Sequence, residues 1–572
     1  MPDFIKTQNA FLNGEVAPDF FAHDNLSGVS RLENMDVLPG GGLRRRHGLS
    51  KISNLLWVAK LITFSVSDDE QYIIAMGPER MAIFASDGTM IQNLFSPWSY
   101  DDVTRLQYAQ RFGTMIFVHP DYQPRILRKT ATEFEISLFE FAVNSDMSQN
   151  MPFMKFDDAD GISITVSAAS GGNNYATFTT NADFWTEDSV GERILLMGLQ
   201  WRITAVTDAK NAIAYTNNAY TLPQSAIKDW QEGAFSNRRG WPCSITFHQD
   251  RLVFGGSREW PSGVWMSCVG KHNNFSVGTG LDDEAIFITL TSQQRQQICT
   301  VVSSDNLQIL TSVGEWAISN KPLTPASVDI KQHTSVGSVT TRYLAPQKIE
   351  GATVFVSRNM RDIRELSLDD LGENYNANDL CAMSKHLMTD PIDMAYNAGT
   401  RQLFVVMADG TMAVLNQNAA LGISAWGKYI TDGEFISVAV LDDDTFVVVK
   451  RGDTISLERF DESALSDGDY NFSFCVSGLP LRTAGHNVSR LRIRKIMARV
   501  LDTKSLFING SRVTLPNEVY ADSSDGFSGD VSITMLGTTR DCINAPWRIH
   551  GDDQLPATVL SVSVFGNYGI EK

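Results

Sequence analysis

A chain of 572 residues has material for several domains or one large repetitive one. With 43 % hydrophobic and 20 % charged residues it has the balance of a folded protein, not of a disordered one. Its net charge of −18 argues against tight DNA or RNA binding, which rests on neutralising phosphates with basic side chains. It leaves room for a protein past which DNA moves without sticking.

Six cysteines, Cys243, Cys268, Cys299, Cys381, Cys475 and Cys542, contain no C-x-x-C pair, and the nine histidines show no metal-ligand spacing. The thiols are expected to be reduced and mostly buried, with no metal or other cofactor. No run approaches the ~18–20 apolar residues of a membrane span, and the start lacks the apolar core of a signal peptide. Synthesis and folding in a cytoplasm, with no membrane span, are expected.

Residues 1–50 read as extended and loop-like. Phe11-Leu12-Asn13-Gly14-Glu15 precedes Pro18, and Pro39 is followed by Gly40, Gly41 and Gly42, poor material for a helix or a central strand. The segment is expected to lie across the surface of a larger body and to order on contact with neighbours. Arg44, Arg45 and Arg46 stand out in an acidic chain. Pairing with carboxylates of this chain or of a neighbouring subunit is the expected role, ahead of phosphate contact.

From residue 55 a β-hairpin unit recurs. Tyr72–Ala75 pairs with Met81–Ala85, and Thr114–Val118 with Pro124–Arg128. Arg251–Phe254 goes with Val264–Ser267, Leu307–Thr311 with Glu315–Ser319, and Ala352–Val356 with Ile363–Leu368. The last two are Gln402–Met407 with Thr411–Leu415 and Thr445–Lys450 with Thr454–Arg459. Turn signals such as Asp409-Gly410 and Gly452-Asp453 separate the members. The steps between units fall between about 40 and 56 residues, close to the roughly 40–50 of propeller blades, apart from one long step between residues 114 and 251. Packing small sheets radially buries both faces of each and leaves short outer edges, whereas an isolated hairpin has too little core.

Excising roughly Val143–Trp241 restores the period. That stretch reads as an inserted β-domain, with alternation over Ile162–Val166 and a meander through Gly191–Met197, Gln200–Thr207 and Ala212–Tyr215. Residues 373–388, with Asp379 as a cap and Leu380, Met383 and Leu387 at helical spacing, predict a helix. After Asp461, the alternation of Arg490, Arg492 and Arg494 with Leu491 and Ile493, and the Asn509-Gly510 turn, predict a separate sandwich-like domain. The arginine row is expected to be an exposed face meeting acidic protein, ahead of a strip facing DNA.

The expected fold is all-β: a β-propeller of about seven blades with an inserted small β-domain and a C-terminal β-sandwich-like domain. The expected divisions are an extended assembly segment at 1–50, propeller at 51–142 and 241–461, the insert at 143–240 and the C-terminal domain at 462–572.

A glycosidase needs two carboxylates about 5–10 Å apart. Asp157, Asp158 and Asp160, then Asp282-Asp283-Glu284, Asp369-Asp370 and Asp442-Asp443-Asp444, read as turn residues instead. Asp157–Gly161 lacks the twelfth-position Glu of an EF-hand. There is no G-x-x-x-x-G-K and no G-x-S-x-G. No catalytic residue is assigned and a non-enzymatic protein is expected.

Two stretches carry a resemblance. The first is F-L-N-G-E-V-A-P at Phe11–Pro18, then N-x-x-x-x-P-G-G-G-x-R-R-R-x-G at Asn34–Gly48. The second is G-W-P-x-x-x-x-F-x-x-x-R-L-x-F-G-G-S at Gly240–Ser257, followed by P-x-x-V-W-x-S at Pro261–Ser267 and Asn274-Phe275. As an ordered set, with Leu307–Trp316 and Tyr375–Leu387, they resemble the tail hub or nozzle proteins of short-tailed bacteriophages, the tail tubular protein B group. Where that pattern has R-P-G, this chain has Arg46-His47-Gly48.

The resemblance implies a virion location in the tail and a hexameric ring that closes the distal tail channel and conducts DNA during ejection. It implies a tail adaptor ring as partner, with tail fibres or tailspikes and a tail tip or needle protein beside it, and transient passage of double-stranded DNA. Asn34, Pro39, Gly40, Gly41, Arg44, Arg45, Arg46, Arg490, Arg492 and Arg494 are the candidate assembly residues. The channel wall is expected to be net acidic, with both arginine groups facing protein. The alternative is a propeller that binds or degrades glycans, marked by a cleft with paired, pKa-shifted carboxylates.

Overall fold

The computed structural model describes residues 3–22, 26–169, 174–369, 372, 374–462, 473–481, 490–516, 526–535, 538–539, 545–553, 555–569. Cys542, Asp370 and Glu373 fall outside them, as does the side chain of Arg490. The protein is all-β, of the β-propeller class, and is built from seven four-stranded antiparallel meanders.

Blade 1 runs from Lys60 to Phe95, blade 2 from Gln107 to Leu138, blade 3 from Ser244 to Thr289 and blade 4 from Ile298 to Thr334. Blade 5 spans Gln347 to Asp379 and blade 6 Pro391 to Tyr429. Blade 7 takes three strands from Glu434 to Asp461 and its fourth, Gly48–Leu55, from near the other end of the chain. Each hairpin read from the sequence is the central strand pair of one blade. Their strands are near-continuous apolar runs, such as Leu403–Met407 and Phe446–Val449, because a blade is buried on both faces.

The chain forms two compact units. One comprises residues 1–64, 71–103 and 344–572, and the other 65–70 and 104–343.

In the first unit, blades 7 and 1 share a core of Leu61, Ile73, Ala439, Phe446 and Leu457. Blades 6 and 7 share Phe404, Val406, Phe435 and Val447. Asp393 of blade 6 accepts hydrogen bonds from the Ser437 hydroxyl and, at 3.1 Å, from the Val438 amide of blade 7.

The C-terminal part of this unit is a sandwich, but it is not separate. Arg31–Glu33 pairs in parallel with blade 6 and antiparallel with Phe474–Ser477, carrying the blade 6 sheet onward to Arg548–Gly551. The facing sheet joins Phe527–Thr534, Arg490–Thr503 and Thr558–Gly569 to the N-terminal strands Leu43–Arg45, Met35–Val37 and Asp3–Gln8. Phe11, Leu32, Met35 and Leu43 share one core with Val476, Ile496, Ile549 and Val559. The expectation of an extended surface segment over 1–50 is corrected by this. Its short strands look weak in isolation because their pairing partners lie hundreds of residues away.

The predicted helix over 373–388 is also corrected. Tyr375–Asp379 is the fourth strand of blade 5, paired with Ile363–Leu368, and Lys385–Leu387 is a single 3-10 turn. Strand alternation, with Tyr375 buried and Asn376 exposed, prevails over the helical spacing once a blade edge needs a partner.

In the second unit, blades 2 and 3 share an aromatic core around Phe139, Phe254, Trp265 and Phe275, and blades 3 and 4 share Val253, Ile298, Ile309 and Trp316. The insert between blades 2 and 3 is one seven-stranded sheet running from Phe153 to Gly233. Its inner face packs Ile194, Trp201, Phe178 and Trp230.

Candidate functional site

The residues of the N-terminal pattern converge on a joint between blade 6, blade 7 and the sandwich. Gly14 has φ +62° and lies against the Trp426 backbone, where a Cβ would overlap the Trp426 carbonyl oxygen. Glu15 is buried. Its carboxylate accepts from the Leu32 amide at 2.6 Å and contacts His386 Nε2 at 2.9 Å, while its carbonyl accepts from the Ser384 hydroxyl at 2.6 Å. Pro39 to Gly42 make the tight turn between Met35–Val37 and Leu43–Arg45, and the Gly41 carbonyl accepts from the Phe11 amide at 2.9 Å.

Asn34 has φ +55°, a left-handed conformation that Asn tolerates better than most residues. Its side-chain oxygen accepts from Arg46 Nε and from the Ile430 amide, both at 2.9 Å, and its Nδ2 donates to the Ser473 carbonyl at 2.6 Å. Arg46, 1 % exposed, also donates to the His47 and Ile430 carbonyls. Its guanidinium lies 5.2 Å from the Tyr429 ring centroid and 5.5 Å from that of Phe460. Arg45 is equally buried, donates to the Asp553 and Leu555 carbonyls and sits 5.4 Å from the Phe474 ring. Burial pushes both guanidinium pKa values down to about 10.

Arg44, which is exposed, lines a cavity of about 530 Å³ beside the joint. Among the buried polar groups on its lining is Asp36, which accepts from the Tyr429 hydroxyl and, at 2.8 Å, from Gln402 Nε2. Burial holds the Asp36 carboxyl above its usual range. Asp443 and Asp444 line the same cavity, with Arg459 bound to Asp444 at 3.2 Å.

The C-terminal arginines are not brought to this joint. Arg492 and Arg494 are exposed on the strand Arg490–Thr503, and Arg494 pairs with Asp3 at 3.5 Å. Asp442 accepts from Gln71 at 2.6 Å, Asp282 gives its carbonyl to Arg251, and Asp369 accepts from the Asn374 amide.

The second pattern, Gly240–Ser257, is internal framework. Arg251, 0 % exposed, donates to the carbonyls of Ser267, Glu284 and Asp282 at 2.5–2.7 Å. The Ser244 hydroxyl accepts from the Val301 amide of blade 4, and Gly255 leaves room for Val301 and Ile298. Cys243, Cys268, Cys299, Cys381 and Cys475 are free thiols.

Two ionisable clusters were invisible in the sequence. Asp362, Asp379 and Cys381 lie close together, but Lys385 binds each carboxylate at 2.9 Å and burial pushes the Cys381 thiol up to about 12. A dication would meet an ammonium already in place. In the insert, Glu192 and Glu232 are both buried. Burial, and then the charge of Glu232, push the Glu192 pKa up to about 8. Glu232 is gripped at both oxygens by Arg239, at 2.6 and 2.8 Å, and Arg239 also binds Asp158 at 2.7 Å. The cross-strand neighbours Ile194 and Glu232, set by the fold, bring the pair together; no local spacing signals it.

No protein-family model matches this chain, and no curated protein matches it. Among solved structures, the computationally designed Ika8 protein is similar with a TM-score of 0.35 and 11 % identity, covering 72 % of this chain and 99 % of that one. The Neurospora crassa Pan2 WD40 domain is similar with a TM-score of 0.33 and 9 % identity, covering 73 % and 96 %. Among the described residues no helix is long and apolar enough to cross a membrane.

Proposed function

We propose that this protein is a non-enzymatic structural component of a bacteriophage tail, and that six copies form the nozzle or hub ring at the distal end of the tail channel. The observation that carries this reading is where the two resembling patterns sit. Phe11–Pro18 and Asn34–Gly48 tie blades 6 and 7 to the sandwich, Arg251 braces blade 3 internally, and Ser244 with Gly255 ties blade 3 to blade 4. Residues in these patterns hold a framework together, as a ring subunit under mechanical load requires. In this reading the lumen wall is net acidic, so that DNA passes without being gripped, and the ring sits in the virion below an adaptor ring. Negative-stain images of the purified full chain test it. Rings of six with a central hole are expected, and particles without rotational symmetry would overturn it.

The rival reading is a propeller that binds or degrades glycans, and its degrading form draws on Glu192 and Glu232. Arg239 occupies both oxygens of Glu232, which leaves one available carboxyl where hydrolysis uses two.

A further inference from the structure

The outer face of the insert carries a row of side chains that its core does not use. Inward residues of the strands Arg193–Leu196 and Leu199–Asp208 are Ile194, Leu196, Trp201 and Ile203, so Arg193 and Arg202 point the other way. They are direct cross-strand partners. Arg202 in turn faces Tyr215, and Tyr215 faces Tyr175, with ring centroids 5.0 Å apart. The row therefore reads Arg193, Arg202, Tyr215, Tyr175 across four adjacent strands, roughly 15 Å at ~4.8 Å per strand.

Like charges directly opposite one another weaken a sheet. Burial, and then the charge of Arg202, hold the Arg193 guanidinium below its usual range. Among the described residues, no ion pair or side-chain hydrogen bond engages either guanidinium, in a chain with 66 acidic residues to choose from. Both line a cavity of about 350 Å³, together with Trp241, Asn237 and the buried Glu192. Asp188 and Glu140 are exposed on its lining, and Glu192 is the acid inside, with Glu232, Arg238, Arg239 and Asp158 behind it.

We propose that this face binds an acidic saccharide. The Arg193–Arg202 pair takes a carboxylate of the sugar through charge-assisted, bidentate hydrogen bonds, and Tyr215 and Tyr175 pack against the following rings. The proposal is independent of the tail reading. Nucleic acid fits less well, because two arginines in a strongly acidic chain neutralise too few phosphates for stable binding.

The test is a titration of the full chain followed by Trp241-dependent fluorescence, with a glucuronic-acid tetrasaccharide as probe. A neutral glucose tetrasaccharide, inorganic phosphate and a ten-residue oligothymidylate are the comparison ligands. Saturable binding of the uronate is expected, at least tenfold tighter than the other three. Arg202→Ala should weaken it at least tenfold, Arg193→Gln similarly, and Tyr215→Ala severalfold, with unchanged melting curves. Arg202 is exposed, so its variant should fold. Absence of saturable uronate binding overturns the proposal, as does unchanged affinity in Arg202→Ala. Phosphate or oligothymidylate binding as tightly as the uronate overturns it equally.

Discussion

Arg46 donates from Nε to the side-chain oxygen of Asn34 at 2.9 Å, and Asn34 holds φ +55° while doing so. A buried cation and a left-handed backbone are thus fixed by one contact, at the point where the N-terminal strands leave blade 6. Asn34→Ala removes the acceptor of a charged donor and places Ala in a conformation it disfavours. Together these should cost about 2–4 kcal/mol. Chemical denaturation should show a lower midpoint. Asn34→Gly, which relieves the backbone term, should lose less. Equal losses in both variants would mean that the backbone conformation contributes nothing.

Deleting residues 1–47 keeps the fourth strand of blade 7 but removes Phe11, Leu32, Met35 and Leu43 from the sandwich core. Burying such side chains contributes roughly 1.5–3 kcal/mol each, so losing four of them rivals the whole stability of a typical domain. The truncated chain should bind a hydrophobic dye and aggregate on expression. A soluble, dye-negative product with cooperative melting would show that the segment is dispensable for folding and acts in assembly alone.

Arg251→Met should be among the most damaging substitutions in blade 3. The buried Ser267 carbonyl loses its donor, as do the part-buried carbonyls of Glu284 and Asp282. A loss on the order of 3 kcal/mol in the denaturation free energy is expected. A change within ~0.5 kcal/mol would place Arg251 in the ordinary surface class.

Glu192 gives the insert a pH dependence with a definite sign. Its folded pKa, about 8, lies above its unfolded value near 4.5. The protonated carboxyl therefore contributes stability that is fully present below about 4.5 and is lost as pH rises through 8. Melting temperature should fall between pH 5.5 and 8.5, and the fall should be smaller in Glu192→Gln, which keeps the neutral form. An identical pH profile in both proteins would show that Glu192 does not carry the buried proton.

The blades were legible because each has a local signature: two short apolar strands around a Gly or Asp turn, repeated at a near-constant step. Gly410 and Gly452 take the left-handed conformation their turns need. What the sequence hid is non-local. Arg31–Glu33 pairs with Phe474–Ser477, and Leu43 with Val559, so no window of sequence contains both halves of those sheets. The region 373–388 misled because Leu380, Met383 and Leu387 fall at helical spacing by chance within a blade edge. The joint was half visible. Pro39, Gly40, Gly41 and the arginines were picked out by composition, yet Asp36, Tyr429 and Gln402, their polar neighbours, carry no local mark. The same holds for Arg193 opposite Arg202, a pairing that requires the register of the hairpin.

The measurement that bears most directly on the central claim is the solution mass of the purified full chain, by native mass spectrometry or light scattering across a concentration series. The account predicts a particle of six chains that persists on dilution. A particle that stays at the mass of one chain at the highest concentration reached would contradict it.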